Sequence, residues 1–165
     1  MRRDDDPFRH LHMPRELACE FLAVFSRMEY ALKATPAYAG GDENRVDALW
    51  DRFANEINDA LEAIPREDKE FWEAVDYLNI HPPRKQVFQD GALTFKDQVI
   101  DQNQRKAQQT LLMVRTVRNN LFHGGKHYPD GEQEQGRNER LVRYSLEILK
   151  RSSMLSPDVR QRYDF

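Results

Sequence analysis

The sequence predicts an all-α protein, an antiparallel bundle of four or five helices with a small hairpin or an extended loop inserted. Three observations predict it. Apolar residues recur at spacings of three and four over most of the chain, the segments between such stretches are short, and Pro or Gly marks most of the breaks. With 165 residues, 39% of them hydrophobic and 32% charged, the chain is long enough for one buried core under a polar surface. These features together suit a single helical domain over residues 14–151, between a loose arm (1–13) and a C-terminal tail (152–165).

The elements follow in order. Pro14 suits the first turn of a helix. Leu17, Phe21, Val24, Phe25, Met28 and Leu32 then form one stripe as far as Lys33, and Thr35-Pro36 stops it. Asp42 suits the N-cap of a second helix, whose inward face is Val46, Leu49, Trp50, Phe53, Ile57, Leu61 and Ile64. After Pro65 a shorter helix spans Arg66 to Leu78, with Phe71, Trp72, Val75 and Leu78 inward. His81-Pro82-Pro83 begins an extended stretch. Within it Val87-Phe88, Asp90-Gly91 and Leu93-x-Phe95 fit a hairpin, and an anchored loop gives the same pattern. A long fourth helix runs from about Asp101 to Phe122 through Ala107, Leu111, Val114, Val117 and Leu121, with Gly124-Gly125 as its stop. Residues 129–136 are polar and loop-like. A fifth helix spans Arg137 to about Arg151 and packs Leu141, Tyr144, Ile148 and Leu149.

Composition narrows the function classes. No run approaches the roughly 20 apolar residues of a membrane helix. Met1-Arg-Arg-Asp-Asp-Asp lacks the apolar core of a secretory signal, so no membrane partner is expected. The one cysteine, Cys19, excludes an internal disulfide, fits a cytoplasmic protein and is expected to pack on the first helix. Residues 1–101 carry a balance of −8 and residues 102–165 one of +5, within a net charge of −3. Such asymmetry hints at an anionic partner, although solvated helix faces produce it as readily. His10-x-His12 lacks the companions of a metal site, and no phosphate loop or nucleophile elbow is present. No cofactor and no metal are expected.

The chemistry concentrates in Val114-Arg-Thr-Val-Arg-Asn-Asn-Leu-Phe-His-Gly-Gly-Lys126. Arg118 and His123, four residues between them, place a permanent cation and a titratable imidazole in the last turns of a helix. Metal-free cleavage of RNA needs a group to take the 2′-hydroxyl proton and fixed donors for a phosphate that gains charge. His123 suits the first task and the planar fork of Arg118 the second. Asn119 and Asn120 could hold a phosphate oxygen or orient the imidazole, and Lys126 could add positive charge. The same residues also fit a plain structural role, because cations suit the negative end of a helix.

Arg118-Asn-Asn-Leu-Phe-His123 resembles the R-x4–6-H motif of HEPN domains (higher eukaryote and prokaryote nucleotide-binding), including the polar residue after the arginine. Phe25-Ser-Arg-Met-Glu-Tyr-Ala-Leu-Lys33 resembles the first helix of small stand-alone bacterial members. The resemblance implies an all-α bundle and a homodimer whose two motifs meet in a shared cleft. It also implies a metal-independent endoribonuclease that leaves a 2′,3′-cyclic phosphate and a 5′-hydroxyl, acting as a toxin or antiviral effector, with any antitoxin or regulator a separate chain. Carried over by position, Arg118 binds the phosphate, His123 is the acid/base group and Asn119 the auxiliary polar residue. Glu29, beside the stripe of the first helix, is a further polar member. Some members keep the motif as non-catalytic nucleotide-binding or interaction modules.

Overall fold

A computed structural model describes residues 6–123 and 136–165. Among them run α1 (Arg15–Lys33), a 3-10 turn (Pro36–Tyr38), β1 (Ala39–Asp42), β2 (Arg45–Ala48), α2 (Trp50–Glu62), α3 (Lys69–Ile80), β3 (Lys85–Gln89), β4 (Ala92–Lys96), α4 (Lys106–Phe122), α5 (Arg137–Ser153) and α6 (Pro157–Asp164). The expectation of an all-α bundle is therefore corrected. Six helices are joined by two antiparallel two-stranded sheets, so the fold is mixed α and β.

Local chemistry explains the first hairpin, which the sequence disguised as a helix start. Asp42 does cap a backbone N–H, but it is that of Asn44, at 2.8 Å, closing an Asx turn between β1 and β2. Gly41 sits at φ 120°, where an added Cβ would lie 2.2 Å from the Arg45 carbonyl oxygen, so glycine is required. Val46, expected in a helical core, is half exposed on β2. The second hairpin follows the pattern read at 87–95. Asp90 and Gly91 both take positive φ, 52° and 78°, as a two-residue primed turn requires, and Phe88 lies opposite Leu93.

The helices form one core. α1 packs against α5 and α6, α2 against α4, and α3 against α5. Phe21, Met28 and Leu32 of α1, Phe53 of α2, Phe71 of α3, Met113 of α4 and Leu141 of α5 are buried together. Each fully buried apolar side chain contributes about 1.5–3 kcal/mol. Cys19, expected to pack, lies on the exposed face of α1. Residues 157–164, read as tail, form α6: Pro157 occupies its first turn, the Ser156 hydroxyl accepts from the Val159 N–H at 3.4 Å, and Val159 is fully buried.

α4 starts later than expected because residues 101–105 turn instead. The Asn103 N–H donates to the Asp101 carboxylate, and the Gln108 side chain accepts from the Arg105 N–H at 3.1 Å. Buried and part-buried polar contacts then fix what surrounds α4. Asn120 donates to the Arg84 carbonyl at 2.7 Å, and Arg84 donates to the Phe95 carbonyl at 2.7 Å, which ties the root of the second hairpin to the helix. Thr116 and Gln98 hydrogen-bond at 3.0 Å and hold the segment after β4. The buried Arg137 of α5 donates to the Pro82 carbonyl at 2.8 Å. The Gly124-Gly125 stop and the 129–135 part of the polar loop lie outside the described residues.

Candidate functional site

The last two turns of α4 carry the site predicted from sequence. The helix ends with the His123 N–H donating to the Asn119 carbonyl at 2.9 Å, and His123 itself has left helical geometry, with φ −90° and ψ 19°. Its imidazole is exposed and meets the Phe122 ring edge-on, the centroids 5.3 Å apart.

Arg118 is held from several directions at once. Its guanidinium lies 5.1 Å from the ring centroids of both Phe25 on α1 and Phe122 on α4. One terminal nitrogen donates to the Asn119 side-chain oxygen at 2.9 Å. The other lies 4.0 Å from the carboxylate of Glu29, which also pairs with Lys33 at 3.0 Å. The side chain nevertheless keeps 30% of its surface exposed. Aromatic faces and a carboxylate restrict the rotamers of a long side chain whose immobilisation would otherwise cost up to about 2 kcal/mol. Arg118 is thus positioned and still accessible.

Of the residues singled out from sequence, Arg118, Glu29 and Asn119 come together. Asn120 is buried, with its amide nitrogen committed to Arg84, so its evident work is to anchor the hairpin. Lys126 lies outside the described residues.

Two sides of α4 are open. A groove of about 470 Å³ lies towards α1, walled by Phe25, Glu29, Tyr30, Lys33, Arg118 and Phe122. Another of about 470 Å³ lies towards β3, walled by Lys85, Gln86, Arg115, Thr116, Asn119 and His123. Arg118 and His123 therefore line different grooves, and Asn119 lines the one with His123 while its side-chain oxygen accepts from Arg118. A smaller recess between α1, β2 and α4 brings Asp47 and Arg115 alongside Arg118.

Sequence reasoning missed Arg115 and Lys85. Arg115 stands one turn before Arg118, a spacing that was readable as a shared face. It lies 3.8 Å from the Asp51 carboxylate and 6.0 Å from the Trp50 ring. Lys85 had no sequence signal, because only the register of the second hairpin brings it beside α4.

Comparison with known protein families, curated proteins and solved structures gives no match to this chain. Among the described residues no helix is long and apolar enough to cross a membrane.

Proposed function

We propose that the chain is a metal-independent endoribonuclease of HEPN type, working as a homodimer on RNA through Arg118 and His123. The observation that carries this is the fixing of Arg118 by Phe25, Phe122, Asn119 and Glu29 at the rim of an open groove. A guanidinium set before substrate arrives needs no reorganisation as charge develops on a phosphate, which is where fixed donors lower a barrier most. In the reaction a ribose 2′-oxygen attacks the adjacent phosphorus and gives its proton to His123. The bond to the 5′-oxygen breaks, and that oxygen takes a proton from solvent water while His123 later releases its own to solvent, giving a 2′,3′-cyclic phosphate and a 5′-hydroxyl. Arg118 holds the phosphate oxygens, Asn119 orients the guanidinium and Glu29 holds it from α1. A toxin or antiviral role, restrained by a separate antitoxin or regulator, goes with this chemistry through the motif resemblance.

A second reading, a non-catalytic binding or interaction module, is favoured by one observation: Arg118 and His123 line different grooves of the same chain. There the two residues would serve a nucleotide phosphate or the seam between two copies.

Cleavage of mixed cellular RNA in EDTA separates the two. The wild type is expected to cut and to leave cyclic phosphate ends. Arg118→Ala and His123→Ala are expected to lose about 10²–10⁴-fold in rate with their melting temperatures unchanged. Equal activity in both variants would overturn the ribonuclease reading, and loss of the dimer without any cutting by the wild type would favour the module.

A further inference from the structure

We propose that the groove between β3 and the end of α4 takes the sugar–phosphate backbone of single-stranded RNA, with Phe88 stacking a base just beyond it. This rests on the ribonuclease reading for the fate of the RNA and goes further in naming the surface that the strand crosses.

Two independent observations carry it. The first is charge. The groove is walled by the cations Lys85 and Arg115, the imidazole of His123, and the amides of Gln86, Asn119 and Asn120, with no carboxylate in its wall among the described residues. In a chain of net charge −3 such a wall is selective for an anion. Lys85 has no acidic partner among the described residues. The carboxylate facing Arg115, that of Asp51, is 3.8 Å away and largely exposed, which leaves that guanidinium able to exchange it for a phosphate.

The second is an exposed aromatic ring. Phe88 is 81% exposed and stands two positions along β3 from Gln86, on the same face of the strand, about 7 Å further out. Its cross-strand neighbour Leu93 is also exposed, so the tip of the hairpin presents an apolar platform on the strand whose Lys85 and Gln86 wall the cationic groove. Cations that follow a backbone, with an aromatic face beside them, are what single strands bind, because every base has a face to stack. A duplex hides those faces, and its phosphates alone would leave Phe88 unused. His123 lines the same groove, so a strand lying along Lys85 and Arg115 passes the acid/base group.

The test is binding of a short, fluorescently labelled 2′-O-methyl RNA, which lacks the attacking hydroxyl and stays intact. Anisotropy across a salt series would compare the wild type, Phe88→Ala, the double variant Lys85→Ala/Arg115→Ala, and Arg160→Ala on α6 as a control for loss of surface charge elsewhere. Phe88→Ala is expected to weaken binding about tenfold with an unchanged salt slope. The double variant is expected to weaken it and to flatten the slope by about 1.4. Arg160→Ala and a fully paired RNA hairpin serve as references, the first binding as the wild type does and the second more weakly.

Equal affinity of wild type, Phe88→Ala and the double variant would overturn the proposal, as would absence of binding by the wild type. A change in sedimentation of Phe88→Ala without a change in RNA affinity would overturn it too, and would assign the hairpin tip to a contact with a second copy. Binding as expected by a protein that cuts no RNA would leave the groove standing and remove the nuclease. Cutting by a protein whose variants bind normally would do the reverse.

Discussion

The two sides of the α4 terminus are built alike and charged differently. Each is a groove of about 470 Å³ flanked by a neighbouring element, α1 on one side and β3 on the other. On the α1 side Arg118 comes with Glu29, and the adjoining recess adds Asp47. On the β3 side Arg115, Lys85 and His123 come with amides and a hydroxyl. An arginine that meets a carboxylate and two aromatic rings is fixed in place but partly neutralised. Lys85, with no acidic partner among the described residues, and Arg115, with only the exposed Asp51 at 3.8 Å, are less constrained and attract anions more strongly. The difference separates a side chain held in a set geometry from cations open to an anion, the two tasks that the proposed ribonuclease would need.

The largest effect concerns whether those two sides act within one chain or between two. If Arg118 of one copy works with His123 of the other, mixing Arg118→Ala with His123→Ala rebuilds one intact site in each mixed dimer. Activity should then rise from near zero to roughly a quarter of wild type, since half the dimers are mixed and each has one good site of two. No recovery after unfolding and refolding the mixture together would place both groups in a single chain.

The next effect separates the neighbouring asparagines. Asn120 is 5% exposed and donates to Arg84, whereas Asn119 is exposed and touches only Arg118 among these contacts. Asn120→Ala leaves the part-buried Arg84 carbonyl without this donor and is expected to cost about 1 kcal/mol, read as a lower midpoint in urea. Asn119→Ala should stay within about 0.5 kcal/mol. Equal stability losses would mean that the hairpin root is not held by Asn120.

This contrast also shows what the sequence could and could not disclose. Asn119 and Asn120 are identical letters in one helix, and only the inward face set by Val117 and Leu121 hints that Asn120 is covered. The stripe of α1 was legible because Leu17, Phe21, Phe25, Met28 and Leu32 repeat with the helical period and are all buried. The β3–β4 turn was legible because Asp-Gly has few other uses between apolar runs. The β1–β2 hairpin was not, since Asp42 serves an Asx turn with the same acceptor oxygen that would cap a helix, and Val46 fell at helical spacing by coincidence. α6 was hidden by its brevity, with one fully buried side chain, Val159, as its anchor. Arg118, His123, Asn119 and Glu29 were legible as a set only through the motif. The division of Arg118 and His123 between two grooves depends on tertiary packing that no local pattern encodes.

A smaller effect makes the two grooves more alike. Glu29→Gln removes the carboxylate charge shared by Arg118 and Lys33 while keeping a hydrogen-bonding side chain. RNA affinity should rise about two- to threefold at low salt, and the gain should fade as salt screens the half-exposed pair. An affinity gain that persists at high salt would mean that Glu29 acts by shape and not by charge.

The smallest effect guards the others against a confusion of pH with folding. Burial, and then the neighbouring Glu70, hold the Glu147 carboxyl above the usual carboxylate range, with Lys150 opposing them. Neither carboxyl lines a groove beside α4. The native state therefore disfavours the charged form of Glu147 relative to the unfolded chain, a cost present at neutral pH that disappears as pH falls through the native value and below the unfolded one. Glu147→Gln should raise the melting temperature slightly, by about 1 °C, at pH 7 and leave it unchanged at pH 3. A gain of the same size at both would assign it to packing between α3 and α5. Any pH dependence of RNA cleavage that survives in Glu147→Gln then does not come from the titration of Glu147.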